Sequence, residues 1–243
     1  MRIPVLADLV DVFLPRICAG CGEIIHNDTF LCAECSNELA VRRLPAGAAL
    51  LNGLPVVAPF EYAFPVSAMV TAAKFRNLPR IFLPLARAMY EALAEAGLAG
   101  YPQVVVPVPL HHARRRERGF DQAQYLAESI AGFLDCSFLP KVLRRVRATP
   151  PQKRVGRRQR MVALHGAFGP GRQAVEIEGR RVLLVDDVVT TGATFEAAMQ
   201  AMLSYLPAGV LFLVAARTPP PSDVPPEDPI AGKGSLDLPE EQS

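Results

Sequence analysis

The chain has 243 residues, of which 50% are apolar and 21% are charged, an ordinary composition for a soluble folded protein. At this length it can bury one large core, alone or beside a small accessory module. Its longest apolar runs, such as Val210–Ala216, are far shorter than the roughly 20 residues that a membrane-spanning helix needs. The pattern therefore predicts no membrane span.

The net charge of +2 is small, but the charge is unevenly distributed. The segment from Arg114 to Arg160, called the basic segment below, contains 13 Lys and Arg against 4 Asp and Glu. The rest of the chain is therefore acidic. This asymmetry predicts a basic surface that faces an anionic partner, most simply phosphate groups or nucleic acid.

The N-terminus begins like a signal peptide, but Asp8 and Asp11 interrupt its apolar stretch. The apolar residues there fall on one helical stripe, which is typical of a short amphipathic helix. They are Leu6, Leu9, Val10 and Phe13. We therefore predict a cytoplasmic chain, whose thiols stay reduced.

Four of the five cysteines form two Cys-x-x-Cys pairs separated by ten residues. They are Cys18, Cys21, Cys32 and Cys35. Each pair can place two thiolates on one metal from a tight turn, and two pairs complete a closed tetrahedral site. Two disulfides are the alternative, but reduced thiols are expected in the cytoplasm. We predict a structural zinc site within an N-terminal helix and zinc-binding module, residues 1–45.

Downstream of this module, apolar strand-like runs alternate with helical patterns. Strands are predicted at 104–108, 182–185 and 210–215, and helices at 66–76, 81–96, 120–134 and 194–206. This rhythm predicts an α/β fold with a mostly parallel sheet flanked by helices, which we assign to residues 46–216. The Pro-rich residues 217–243 have no periodic pattern and are predicted to be a disordered tail.

Two adjacent acids close an apolar run in the stretch VLLVDDVVTTGAT, residues 182–194. Asp186 and Asp187 would repel each other at the end of a buried strand unless something compensates them. The TTGAT turn that follows opens a helix, whose N-terminal N–H groups suit a phosphate. Carboxylates just before that turn can accept hydrogen bonds from vicinal ribose hydroxyls. The stretch therefore predicts a sugar-phosphate site.

An ordinary strand-to-helix turn with a Thr or Asp N-cap is the plain alternative for this stretch. It accounts for the threonines but not for the two adjacent acids. The sequence has no GxxxxGKS or GxxxxGKT loop and no GxGxxG turn after the first strand, so Walker-type and dinucleotide-binding loops are unsupported.

The same stretch closely resembles the phosphoribosyl pyrophosphate (PRPP) signature of type I phosphoribosyltransferases. The resemblance implies that Asp186 and Asp187 bind the ribose 2′- and 3′-hydroxyls and that the following loop binds the 5′-phosphate. The loop residues are Thr190, Thr191, Gly192, Ala193 and Thr194. It also implies Mg²⁺, held mainly by PRPP oxygens and water. Purine-salvage members carry an acid where this chain has Thr190, which argues against 6-oxopurine salvage.

Arginines crowd the stretch VVVPVPLHHARRRERGFDQAQ, residues 104–124, after the first strand of the alternating region. A leaving pyrophosphate needs donors that stabilise its charge, and the planar guanidinium fork matches phosphate oxygens. We take Arg114, Arg116 and Arg118 as candidate catalytic residues for this reason. A solvated charged loop is the alternative.

Several motifs together resemble the ComF/GntX-like family of competence-associated proteins. They are the cysteine pairs, KFR at 74–76, VPVP, RxRGFDQA, TPPQ at 149–152 and HGAF at 165–168. The resemblance covers roughly residues 5–216. The family usually has Asn where this chain has Asp121, and it often has Asn near Ala163. Neither position touches the predicted ribose or phosphate loop.

Three functions are compatible with these features. The first is a phosphoribosyltransferase-domain protein that binds PRPP with Mg²⁺ and transfers phosphoribosyl to an acceptor that the sequence does not name. The second is a non-catalytic competence or DNA-uptake protein that binds single-stranded DNA or a partner protein. With no Trp and few free aromatics, the basic segment favours phosphate contact over base stacking. The third is an adaptor whose zinc module docks a partner protein.

Overall fold

A computed structural model describes residues 16–25, 29–76, 79–110, 116, 119–147, 164 and 166–219. The amphipathic helix expected around residues 6–13 lies outside these residues, and so does the Pro-rich tail beyond residue 219. None of the helices in the described part of the chain combines the length and apolarity needed to cross a membrane.

The described part of the N-terminal module contains a small two-stranded ribbon and one helix. Strand β1 (Arg16–Ile17) pairs antiparallel with β2 (Ile24–Ile25), and helix α1 spans Ala33–Val41. Helix α1 begins directly after Cys32, whose sulfur accepts a hydrogen bond from the backbone N–H of Cys35. The second cysteine pair is therefore built into the start of a helix.

A mixed sheet forms the centre of the α/β unit. Its strands are β3 (Ala48–Leu51), β4 (Leu54–Val57), β5 (Phe60–Glu61), β6 (Val104–Pro107), β7 (Ser137–Phe138), β10 (Arg181–Val189) and β11 (Gly209–Arg217). The order across the sheet is β3, β4, β11, β10, β6, β7, and β5 pairs with the far end of β11. Only β3 runs antiparallel to its neighbour in this described sheet. A separate hairpin pairs β8 (Leu143–Arg145) with β9 (Phe168–Pro170).

Helices cover both faces of the sheet. They are α2 (Val66–Arg76), α3 (Phe82–Glu95), α4 (Gln122–Leu134) and α5 (Ala193–Met202), with 3-10 turns at Pro79–Ile81, Ala174–Ile177 and Leu203–Tyr205. Helix α3 could be predicted from the sequence because Phe82, Leu85 and Met89 recur at helical spacing, and all three are fully buried. The prediction of a mostly parallel sheet flanked by helices is confirmed.

Strand β10 is buried on both faces, which explains its nearly continuous apolar sequence. Leu183 and Val185 pack into the hydrophobic cluster formed with α2, α3 and α4. Val182 and Leu184 pack on the opposite side, against α5 and the β8–β9 hairpin. The sheet is therefore the middle layer of a three-layer arrangement.

The predicted end of β10 was wrong. The strand was expected to stop at 185, just before the two acids, but it continues through Val189. The strand continues because it stays paired with β11 on one side, as far as the register pair Val189 and Arg217. Hydrogen bonding to β11 keeps the strand extended even though Asp186 and Asp187 interrupt its apolar pattern.

Candidate ligand site and metal centre

The two acids lie where β10 extends beyond one of its two neighbours. On the β6 side the ladder ends at the register pair Val185 and Pro107. On the β11 side Asp186 is still opposite Val214. The acids are therefore held by one paired strand and face an open edge at the carboxyl ends of the parallel strands, where α/β proteins bind their ligands.

The charge of each acid is partly compensated by the backbone N–H of the residue that follows it. Asp186 Oδ1 accepts a hydrogen bond from the N–H of Asp187 at 2.8 Å, and Asp187 Oδ1 accepts one from the N–H of Val188 at 2.9 Å. Both residues are half-buried. These hydrogen bonds offset part of the cost of placing carboxylate oxygens beside a hydrophobic core. This arrangement lets two adjacent carboxylates persist beside a hydrophobic core.

The loop after β10 leads into α5 through a glycine at the N-cap position. The N-cap is Gly192, in the left-handed conformation with φ of 76°, and it has no side chain that could cap the first turn. The alternative of an ordinary strand-to-helix turn required a Thr or Asp at the N-cap, and this helix has a glycine there instead. The first N–H groups of a helix need partners, so the start of α5 is suited to a ligand anion.

Sequence reasoning missed Asn52, which lies at the tip of the β3–β4 hairpin. Its side-chain amide donates to the backbone carbonyl of Thr191 at 2.8 Å and to Glu196 Oε1 at 2.6 Å. The dipeptide Asn52–Gly53 is a typical hairpin-turn signal, and φ values of 56° and 76° match it. That signal could have predicted the hairpin, but not its contact with the loop.

The structure places few of the predicted basic-loop residues. Arg116 is exposed, whereas Arg114 and Arg118 lie outside the described residues.

Asp121, which follows these arginines in the chain, is a buried carboxylate that caps α4. It accepts the N–H of Gln124 at 3.2 Å. The TPPQ motif at 149–152 also lies outside the described residues, while Phe168 of the HGAF motif is buried in β9.

The four cysteines come together as one cluster. Their sulfur atoms all lie within 4.8 Å of one another, and the Sγ atoms of Cys21 and Cys32 are 3.8 Å apart. A tetrahedral site with Zn–S bonds of about 2.3 Å has edges of about 3.8 Å. All four are free thiols in the structure, so the residues fit a closed four-thiolate zinc site.

Backbone N–H groups surround the buried sulfur of Cys18. Cys32 N donates to it at 3.3 Å and Gly20 N at 3.4 Å. Burial raises the pKa of this thiol, but backbone hydrogen bonds from Cys32, Cys21 and Gly20 outweigh burial and lower the pKa to about 6. Burial raises the pKa of Cys35 instead. The N–H groups around Cys18 thus stabilise negative charge on its sulfur, as a metal-bound thiolate requires.

The cysteine module shares its core with the α/β unit. Cys18 and Cys35 are 1% and 3% exposed and belong to the same buried cluster as Met69 and Val70 of α2. Because the metal-ligand candidates pack into this common core, the geometry of the cysteine site is tied to the position of α2.

Comparisons with known proteins agree with this architecture. Residues 116–229 match the phosphoribosyl transferase domain family, and residues 9–47 match the double zinc ribbon domain family. The chain is 33% identical over 194 residues to the DNA utilization protein YhgH of Salmonella typhimurium, covering 77% of this chain and 84% of that protein. It is 33% identical over 184 residues to competence protein F of Haemophilus influenzae, covering 73% of this chain and 80% of that protein.

The chain belongs to the ComF-like family. Its α/β unit is a phosphoribosyltransferase-type domain, and the zinc ribbon match together with the four clustered cysteines supports a structural zinc in this ComF-like protein. Among solved structures, the purine phosphoribosyltransferase from Pyrococcus horikoshii is similar over 58% of this chain and 79% of that chain, with 20% identity and a TM-score of 0.37.

Proposed function

We propose that this ComF-like protein binds PRPP with Mg²⁺ at the open edge of β10. Asp186 and Asp187 accept hydrogen bonds from the ribose 2′- and 3′-hydroxyls, and the loop from Thr190 to Thr194 donates to the 5′-phosphate. The observation that carries the proposal is the order of these groups along one strand and turn. Two acceptors lie where β10 is paired on one side only, and after four intervening residues the helix α5 starts at a glycine N-cap, which has no side chain to cap it.

The chemistry of the ligand matches this order. A ribose 5-phosphate unit presents a diol at one end and an anion at the other, so it needs acceptors and donors a few ångströms apart. The acids supply acceptors, and the first turn of α5 supplies N–H donors with a partial positive charge. The family match to the phosphoribosyl transferase domain supports the same assignment.

Phosphoribosyl transfer is the reaction that we assign to this site. A nucleophilic acceptor attacks the anomeric carbon, and the bond to pyrophosphate breaks. Mg²⁺ bound to PRPP oxygens and the guanidinium groups of Arg114, Arg116 and Arg118 would stabilise the leaving group. Pyrophosphate release measured across a panel of nucleophiles would identify the acceptor, and no release with any of them would leave PRPP as a bound ligand only.

The binding proposal is tested by calorimetric titration of PRPP with the variants Asp186→Asn and Asp187→Asn. An asparagine oxygen can still accept the N–H of the following residue, so both variants should keep the wild-type melting temperature while PRPP affinity falls. Asp135→Asn is the matched control, because Asp135 is exposed at the C-terminal end of α4 and asparagine tolerates its left-handed conformation.

A 2′-deoxy analogue of PRPP tests the acid pair from the ligand side. Loss of one hydroxyl donor leaves a carboxylate oxygen unsatisfied, which costs roughly 1–3 kcal/mol and corresponds to a loss of about 5- to 150-fold in affinity. Unchanged PRPP affinity in both asparagine variants, together with a lowered melting temperature, would show that the pair is structural.

A second function, DNA binding, is favoured by the basic segment. Lys141, Arg144 and Arg147 are exposed on and beside β8, where the described part of this segment lies. Two relatives are named competence protein F and DNA utilization protein YhgH. We therefore propose that the segment binds the phosphate backbone of single-stranded DNA, in the same chain as the PRPP site.

We further propose that Cys18, Cys21, Cys32 and Cys35 are the four zinc ligands. The closed tetrahedral set has no position for a substrate, so its role is structural. A site of four reduced thiols belongs in a reducing compartment, which is why we place this function in the cytoplasm.

A further inference from the structure

Asn52 joins two distant parts of the chain at the loop that precedes α5. Its amide nitrogen donates to the carbonyl oxygen of Thr191 at 2.8 Å and to Glu196 Oε1 at 2.6 Å. These two acceptors flank Gly192, the residue at which the loop becomes a helix. One side chain therefore contacts both sides of the turn that the proposed function assigns to phosphate.

Gly192 is shaped to this contact. Its φ of 76° lies in the left-handed region, and a Cβ there would come within 2.9 Å of Asn52 Nδ2 and 3.1 Å of Leu51 Cδ2. A side chain at this position would therefore push the hairpin tip away. The glycine serves both the backbone turn and the close approach of the hairpin.

Asn52 binds two hydrogen-bond acceptors that would otherwise repel a phosphate at the start of α5. A carbonyl in the loop and a carboxylate in the first turn of α5 both repel a phosphate bound at the start of the helix. Thr191 O and Glu196 Oε1 are these two groups, and the amide of Asn52 binds both of them. Held toward the hairpin, they leave the N–H groups of the turn as the groups that face the ligand.

We infer that Asn52 is a positioning residue for the phosphate loop, Thr190 to Thr194. It acts through Thr191 and Glu196 and does not itself touch the ligand. This inference rests on the proposed function, since it assigns the loop a ligand phosphate. It adds the β3–β4 hairpin, which lies outside the residues matched to the phosphoribosyl transferase domain, to the machinery of the site.

Two variants of Asn52 distinguish loss of its amide donor from a change in the turn conformation. Asn52→Gly keeps a residue that adopts positive φ freely but removes the amide. Asn52→Asp keeps the size and the tolerance of the left-handed region but replaces the donor with an acceptor that faces Glu196. Leu50→Ala is the matched control, because Leu50 is 42% exposed on β3 of the same hairpin.

The first measurement needs no ligand. Hydrogen exchange of the backbone amides at 190–196 should be at least about fivefold faster in both Asn52 variants, because loop opening loses the restraint of two hydrogen bonds. Exchange in β10 from Val182 to Val185 should stay unchanged, as should the whole pattern of Leu50→Ala. Unchanged loop exchange in both Asn52 variants would overturn the inference.

The second measurement is the dissociation constant of PRPP with Mg²⁺. We expect a loss of about tenfold in Asn52→Gly and a larger loss in Asn52→Asp, where the new carboxylate also repels the phosphate. Affinity within twofold of the wild type in both variants would overturn the inference. If the wild type itself binds no PRPP, the proposed function fails, while the exchange measurement still decides whether Asn52 positions the loop.

Discussion

The backbone N–H of Leu110 donates to Oδ2 of Asp121 at 3.1 Å, while Oδ1 of the same carboxylate accepts the N–H of Gln124 at 3.2 Å. One buried carboxylate thus joins the residues after β6 to the first turn of α4. Leu110 and Asp121 bracket the stretch of sequence that contains Arg114, Arg116 and Arg118. An asparagine at this position would have one acceptor oxygen, whereas this geometry uses two.

We predict that Asp121→Ala lowers the free energy of unfolding by about 2–4 kcal/mol. Loss of the helix cap costs about 1 kcal/mol, and the unsatisfied N–H of Leu110 costs about 1–3 kcal/mol more. Asp121→Asn should lose roughly half as much, because its single oxygen keeps one of the two bonds. Urea denaturation of both variants measures the difference.

The control for Asp121 is Glu128→Ala, an exposed acid on the same helix. Its effect should stay within about 0.5 kcal/mol, as for other surface substitutions. Equal destabilisation by the Asn and Ala variants would show that the second acceptor oxygen is unimportant.

Removal of the metal should destabilise the whole chain and not the cysteine module alone. Cys18 and Cys35 share a buried cluster with Met69 of α2, so loss of the zinc geometry loosens a core that both parts use. We expect about one zinc per purified chain, and a single calorimetric transition that moves to lower temperature after chelation. Cys35→Ser should behave like the chelated protein.

The matched control for Cys35→Ser is Cys136→Ser, because Cys136 is half-buried and does not belong to the group of four cysteines. This variant should retain the metal. Metal analysis showing no zinc, or a major transition that does not move on chelation, would contradict the prediction.

Two glycine-to-alanine substitutions should have opposite effects. A Cβ at Gly20 would lie 2.7 Å from Cys35 Sγ and 3.1 Å from Pro65 Cβ, and the sulfur cannot move away without leaving the tetrahedral set. Gly20→Ala should therefore lower both zinc affinity and melting temperature. Gly132 is exposed on α4 with no atom within 4 Å of its added Cβ, so Gly132→Ala should stabilise by about 0.5–1 kcal/mol. Thermal unfolding with metal analysis compares the pair.

DNA binding by the basic segment should weaken steeply as salt rises, because phosphate contacts release counterions. Replacing Arg157 and Arg158 with Ala should weaken binding about equally for all sequences and reduce the slope of log K against log salt by about 1.4. Arg87→Ala, on the exposed face of α3, should leave that slope unchanged. Fluorescence anisotropy with labelled single strands measures both, and no binding at low salt would remove DNA from the proposed function.

Local patterns were sufficient for much of this fold. The strand at 104–108 and the helices at 66–76 and 120–134 were readable because burial on a strand or helix face imposes a period on the sequence. The cysteine cluster was readable for a similar reason, since two tight turns of fixed spacing constrain where four sulfurs can lie. The acid pair and the TTGAT turn remain a prediction of a ligand site, which the sequence suggests because the groups that would bind one ligand are close together in the chain.

Only the tertiary structure decided which residues meet from distant parts of the chain. Asn52 contacts Thr191 across a separation of 139 residues, and neither residue carries a local signal of the other. The length of β10 beyond Val185 depends on continued pairing with β11, not on its own apolar pattern. Likewise, spacing predicted the zinc ligands, but only packing could place Cys18 and Cys35 in one core with α2. Such contacts arise from how whole elements pack, and a pattern that repeats every two or four residues does not encode them.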